Sequence, residues 1–106
     1  MHEVVFNACY GGFGLSEEAL DWLRENAEDA RVRELSGQYA LYEFFDDRRH
    51  HKDLVAVVKA LGDKANGSCS CLEIAKISGK QYRIEEYDGY EEVVTPEDSD
   101  WVIIED

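Results

Sequence analysis

The first third of the chain combines an apolar strand pattern, a glycine-rich connection and a helical stripe. Residues 3–9 are β-branched and apolar, which predicts a strand. Residues 11–14 (Gly-Gly-Phe-Gly) then predict a tight turn whose Phe13 inserts into the core. Ser16 is a favourable N-cap, and Leu20, Leu23 and Ala27 recur at helical spacing. We therefore expect a first helix from Ser16 to about residue 27.

The middle of the chain has a less decisive pattern. Residues 28–38 are charged and end in Ser-Gly, which predicts a loop that can hold a helical turn. Residues 39–45 form an aromatic run, and its periodicity fits either a strand or an apolar loop that covers the core. A second helix is predicted from about Asp53, because positions 54, 57, 58, 61 and 65 place apolar residues on one face. Asn66-Gly67 offers its C-terminal stop.

The last third has β character throughout. Residues 69–77 and 81–87 are predicted strands, and Asp88-Gly89 predicts a tight hairpin that returns over residues 90–95. A turn over 96–100 and a short strand over 101–104 complete the pattern. We therefore expect an α+β fold in one domain, residues 1–106, with two helices packed on one face of a mostly antiparallel sheet that ends in a C-terminal β-meander and includes the first strand.

Composition narrows the class of protein. The chain carries 11 basic and 24 acidic residues, a net charge of −13, so it should repel nucleic acid and anionic membranes. With 44% hydrophobic residues it should still fold. No apolar run approaches the ~18 residues of a membrane span, and the N-terminus lacks signal-peptide features. The three cysteines include a Cys-Ser-Cys pair, which argues against a disulfide framework and favours the cytoplasm.

The negative charge is concentrated near the C-terminus. Residues 84–106 contain ten acidic residues and no lysine or arginine, for a net charge of −10. A two-residue Asp88-Gly89 loop would place Glu86 opposite Glu91 and Glu85 opposite Glu92. Because opposed like charges destabilise a sheet by up to roughly 1 kcal/mol per pair, this arrangement suggests a purpose other than folding.

We therefore expect the acidic segment to bind a basic partner. Carboxylates on a strand grid, about 5 Å across and ~6.6 Å along the strands, broadly imitate a phosphate backbone. Tyrosines and a tryptophan would add apolar anchors of the kind enriched at interface hot spots. The predicted partner-binding residues are Glu85, Glu86, Tyr87, Asp88, Tyr90, Glu91, Glu92, Glu97, Asp98, Asp100 and Trp101. Two alternatives are a solvated acidic face that only maintains solubility, and a divalent-cation site over residues 97–100.

Other candidate sites have simpler explanations. The glycine-rich connection before a helix resembles an anion cradle, but Glu17 and Glu18 would repel a phosphate there. Cys9 with His50 or His51 could form a nucleophile and base, although nothing in the sequence fixes their proximity. The locally basic residues 46–52 are expected to be a solvated helix lead-in, or to pair with the acidic segment of a second copy in a small homo-oligomer. We expect no catalytic residues, no metal and no cofactor.

Three blocks of the chain resemble a known family. Residues 7–16 (Asn-Ala-Cys-Tyr-Gly-Gly-Phe-Gly-Leu-Ser), 53–67 and 82–89 are similar to small proteins of bacteriophages, prophages and other mobile elements. Residues 28–50 depart from that pattern, because the family tends to carry an Asp-Pro pair before the second helix and this chain has no proline there. The resemblance implies a phage or mobile-element origin.

These observations lead to one preferred function and two alternatives. By analogy of kind with acidic anti-CRISPR proteins, we expect a non-enzymatic inhibitor that acts as a nucleic-acid mimic. It would occupy the basic nucleic-acid groove of a host defence complex, with a type I CRISPR effector as the expected target, as a monomer or small homo-oligomer in the host cytoplasm. The alternatives are a ligand-binding protein or enzyme that uses the glycine-rich connection, and a structural or assembly protein of the element.

Overall fold

The computed structural model describes residues 2–96, which form four helices and four strands. In chain order these are β1 (His2–Asn7), α1 (Glu17–Asn26), α2 (Ala30–Arg33), α3 (Gln38–Phe45), α4 (Lys52–Leu61), a 3-10 turn (Gly62–Ala65), β2 (Leu72–Ile77), β3 (Arg83–Tyr87) and β4 (Tyr90–Val94). The α+β class is confirmed. The predicted strand over 101–104 lies outside the described residues, as does most of the turn before it. No helix within residues 2–96 has the length and apolar character needed to cross a membrane.

Two predicted helices are confirmed close to their expected bounds. Ser16 caps α1 by accepting a hydrogen bond from the Ala19 backbone N–H, and α4 begins one residue before Asp53. The regular α-helix α4 ends where Gly62 adopts a φ of 57°, and the 3-10 turn continues the helical segment to Ala65. The segment therefore ends at the predicted stop, where Asn66 is its C-cap and also forms an isolated β-bridge with Leu15.

The aromatic run is a helix, which neither sequence interpretation included. In α3, Leu41 and Phe45 are four residues apart and fully buried, so they form the apolar stripe that holds this helix on the core. Tyr39 and Tyr42 face away and remain exposed. The charged segment before it contains α2, a single helical turn capped by Asp29.

The strands form two separate sheets rather than the single sheet predicted. β1 pairs antiparallel with β2, with Val5 opposite Ile74, whereas β3 and β4 form their own two-stranded hairpin. β2 starts three residues later than predicted, because Ser70 makes a turn with Gly67 through both its backbone and its hydroxyl group. One hydrophobic core draws on β1, Phe13 and all four helices.

Candidate functional site

The β3–β4 hairpin has the register expected from the sequence. Glu85 lies opposite Glu92, Glu86 opposite Glu91, and Tyr87 opposite Tyr90. The turn residues Asp88 and Gly89 have φ values of 50° and 88°, the left-handed conformation that a tight two-residue hairpin requires. In each of the two glutamate pairs, the two residues therefore lie opposite each other across the strands, as predicted.

The prediction that Glu91 belongs to the exposed face is wrong. Glu91 is only 3% exposed, and its carboxylate accepts two hydrogen bonds from the Arg49 guanidinium, at 2.5 and 2.8 Å. The Asn7 backbone N–H also donates to this carboxylate, at 2.8 Å. The physical reason is the strand alternation, which places Glu91 on the same face as the partly buried Ile84 and Val93. Glu91 is therefore a structural residue that attaches the hairpin to the rest of the protein, which we call the body.

Arg49 is the centre of this attachment. It is 2% exposed, its guanidinium lies 3.7 Å from the centre of the Phe13 ring, and it also donates to the Asp46 carboxylate at 3.1 Å. Burial alone lowers the pKa of Arg49, but hydrogen bonds and charge from Glu91 and Asp46 more than offset this and raise it. The expectation that residues 46–52 are only a solvated lead-in is thus wrong for Arg49, which binds an acidic residue of its own chain.

The hairpin turn is docked on the glycine-rich connection. The Asn7 side-chain amide donates to the carbonyl oxygens of Gly89 and Cys9, at 2.8 and 2.7 Å. A Cβ atom at Gly89 would lie 2.6 Å from the Tyr10 carbonyl oxygen, so only glycine fits at this contact. The glycine-rich connection therefore supports the turn of the hairpin.

The contacts of the glycine-rich connection do not favour the anion site that its sequence resembles. Phe13 is buried in the core, as predicted. The Gly14 carbonyl oxygen accepts hydrogen bonds from the Gly67 N–H and the Ser70 hydroxyl group, and Ser16 already caps α1. The geometry favours the interpretation of this segment as a tight turn that joins core and hairpin.

The remaining carboxylates of the hairpin form an exposed acidic face. Glu85, Glu86, Asp88 and Glu92 are exposed, and Glu85 forms an ion pair with Arg83 at 2.8 Å. Within residues 2–96, no basic side chain lies within salt-bridge distance of the other three. Glu85 and Glu92 project from the same face of the hairpin as Tyr87 and Tyr90, whereas Glu86 lies opposite Glu91 on the other face and is still exposed. We call these four exposed residues together the acidic face.

Tyrosine side chains lie at the turn end of the acidic face. Tyr87 is 74% exposed, and the Tyr90 ring lies 5.3 Å from the ring of Tyr10, itself 69% exposed. Tyr10 was not among the predicted site residues, because its proximity to Tyr90 arises from a contact 80 positions apart in the chain. Four predicted residues, Glu97, Asp98, Asp100 and Trp101, lie outside the described residues.

Within residues 2–96, neither His50 nor His51 contacts Cys9 to form the nucleophile and base that the sequence suggested. His50 contacts the Tyr82 hydroxyl group at 2.7 Å, whereas His51 caps α4 and contacts Asp29 at 3.1 Å. All three cysteines are free thiols, and residues 2–96 hold no group of three or more metal-ligating side chains.

Comparison with known proteins leaves the site to be judged on its geometry. No family model matches the chain, and no curated protein or solved structure shows significant similarity to it.

Proposed function

We propose that this protein is a non-enzymatic binding protein that engages a basic, nucleic-acid-binding surface through its acidic face. The observation that carries the proposal is that one hairpin combines exposed tyrosines with three exposed carboxylates that form no ion pair within residues 2–96. The proposed partner is a host defence complex, with a type I CRISPR effector as the expected target in the bacterial cytoplasm.

The attachment of the hairpin to the rest of the protein supports electrostatic mimicry. The Arg49–Glu91 pair, the Asn7 amide and the close contact at Gly89 each hold the hairpin on the body. The exposed pair Glu85 and Glu92 is then held with its Cβ atoms about 5 Å apart across the strands. A fixed array loses little conformational entropy when arginine or lysine side chains bind it.

The tyrosines supply the apolar part of the proposed contact. Tyr10, Tyr87 and Tyr90 present large exposed rings at the end of the hairpin. Tyrosine is enriched at interface hot spots, and its ring can also accept the guanidinium group of a partner arginine. A partner that uses arginines to hold phosphates would therefore find both ion-pair and ring contacts here.

A charge-reversal experiment tests the acidic face directly. The test variant carries Glu85→Lys, Glu86→Lys and Glu92→Lys, and leaves Glu91 and the left-handed Asp88 unchanged. The matched control makes the same charge change at three exposed acidic residues elsewhere, Asp21→Lys, Glu25→Lys and Glu34→Lys. Each protein is used to capture partners from host lysate and to block interference by the host CRISPR system against an invading plasmid.

We expect wild type and control to capture the effector at low salt, to lose it at high salt and to block interference. The test variant should do neither while its circular-dichroism spectrum stays native. Full inhibition by the folded test variant would overturn the proposal, as would equal loss in the control variant. An empty eluate at both salt concentrations, with a stable homo-oligomer in light scattering, would favour an assembly protein.

A further inference from the structure

Two of the three cysteines lie side by side where β1 and β2 begin to diverge. The last paired residues are Asn7 and Leu72, and the Ala8 N–H extends the ladder by donating to the Cys71 carbonyl oxygen at 2.8 Å. Cys9 is therefore one residue beyond the position opposite Cys71. Ladder spacing puts their Cα atoms ~6 Å apart, within the range that a disulfide spans.

Both cysteines converge on the Asn7 side-chain oxygen. The Cys9 sulfur lies 3.5 Å from this oxygen, and the Cys71 backbone N–H donates to it at 2.7 Å. Because β1 ends at Asn7, strand alternation no longer directs the Cys9 side chain away from Cys71. Cys9 is partly exposed and Cys71 exposed, so a small oxidant in solution can reach both.

The two thiols differ in acidity in a way that suits unequal roles. A hydrogen bond from the Gly11 backbone lowers the pKa of Cys9, and the neighbouring Cys71 thiol lowers it further. The pKa of Cys71 is raised, chiefly because of the hydrogen bond between its own thiol and the Cys9 thiol. The thiolate is the reactive form of cysteine, so Cys9 is the nucleophile of the pair.

We infer that Cys9 and Cys71 are a modification site at which a peroxide forms a reversible disulfide, with Cys9 oxidised first and Cys71 resolving. The Cys9 sulfur attacks one peroxide oxygen, the O–O bond breaks, and Cys9 sulfenic acid and water result. The Cys71 sulfur then displaces the hydroxyl group as a second water and forms the S–S bond. Two thiols lose two electrons in total, and hydrogen peroxide is reduced to two water molecules.

Cys69 serves as the internal control. The Cys9 thiol contacts the backbone carbonyl oxygen of Cys69, at 3.3 Å, and not the Cys69 sulfur. The Cys69 sulfur instead accepts a hydrogen bond from the Ser68 hydroxyl group at 3.8 Å. It is exposed like Cys71, so general surface oxidation would modify it equally. Selective pairing of Cys9 with Cys71 therefore reports geometry and acidity rather than access alone.

The test treats the reduced full chain with one equivalent of hydrogen peroxide, blocks the remaining thiols by alkylation and maps peptides by mass spectrometry. Wild type and Cys69→Ser should each lose two hydrogen atoms and yield a Cys9–Cys71 cross-linked peptide that dithiothreitol reverses. Cys71→Ser should instead accumulate sulfenic acid at Cys9, trapped by dimedone, and Cys9→Ser should keep Cys71 reduced.

Peptide mapping of the wild type alone can overturn the inference, so the test does not depend on how well the variants fold. A principal cross-link that involves Cys69 would refute it. So would three thiols that remain reduced, or sulfenic acid that forms at Cys69 before Cys9.

Discussion

Replacing Glu91 with glutamine tests whether the buried ion pair holds the hairpin on the protein. Glutamine keeps the shape of the side chain but removes its charge, which leaves the Arg49 guanidinium charged and 2% exposed. The two hydrogen bonds to Arg49 would become one at most, because the new amide NH2 faces guanidinium donors. Breaking a buried pair in this way costs about 3–5 kcal/mol. That is a large share of the roughly 5–15 kcal/mol by which a small domain is stable.

A double variant separates the ion pair from the burial of its members. Arg49→Met with Glu91→Leu replaces both charges with apolar groups of similar length, an exchange that is often close to neutral. The Asn7 N–H loses its acceptor in this variant, so some destabilisation remains. The loss of stability in the double variant should be smaller than the summed losses of Arg49→Met alone and Glu91→Leu alone, by about 2–3 kcal/mol.

Urea unfolding followed by circular dichroism measures these differences, and Glu85→Gln is the matched control. Glu85 also pairs with an arginine, but in solvent, where such a pair contributes about 0–1 kcal/mol. The attachment role of Glu91 would be refuted if Glu91→Gln cost no more than Glu85→Gln. Strict additivity of the Arg49 and Glu91 replacements would refute their coupling.

Three further substitutions and one control test other contacts, and the free energy of unfolding is measured for each. Gly89→Ala should cost about 1–3 kcal/mol, because the residue has a φ of 88° and no room for a Cβ atom, whereas Gly14→Ala, with open space around it, should be nearly neutral. Asp53→Ala should cost about 2–4 kcal/mol, since two backbone N–H groups would lose the carboxylate that accepts them. The Arg31 side chain holds the pKa of Asp29 well below its ordinary 3.8, so the stability from Asp29 is complete above that pH and declines below it. Asp29→Asn should therefore destabilise most at neutral pH, and a deficit that did not shrink in acid would contradict this linkage.

The elements best predicted from the sequence are those with local signals. Ser16 marks the start of α1 by its own side-chain hydrogen bond, and the two adjacent residues Asp88-Gly89 were enough to predict the hairpin register. The aromatic segment lacked such a signal, because α3 begins after Gly37 without a side-chain cap and is rich in residues that also favour strands. Its helical state depends on burying Leu41 and Phe45, which is a tertiary effect.

The candidate site was predictable on one face of the hairpin only. The predicted register puts Glu91 on the same face as Ile84 and Val93, a signal in the sequence that the prediction of an exposed Glu91 did not use. Its partner Arg49 is 42 residues away in the chain and lies in a segment whose charged residues predict a solvated helix lead-in. Long-range pairs of this kind carry no local pattern, and the same holds for the contact between Tyr10 and Tyr90.

The burial of Glu91 changes what the opposed glutamates mean. Only Glu85 and Glu92 remain a like-charge pair in solvent, and Arg83 lies beside Glu85, so the cost to the hairpin is below the roughly 1 kcal/mol of a single unrelieved pair. Glu91 also prevents a one-residue slip of β4, because a slip would expose Glu91 and bury a neighbouring residue in its place. The inward glutamate thus fixes the outward direction of Tyr90 and Glu92. Folding and the proposed binding therefore use alternate residues of the same strand, and the folding residue positions the binding ones.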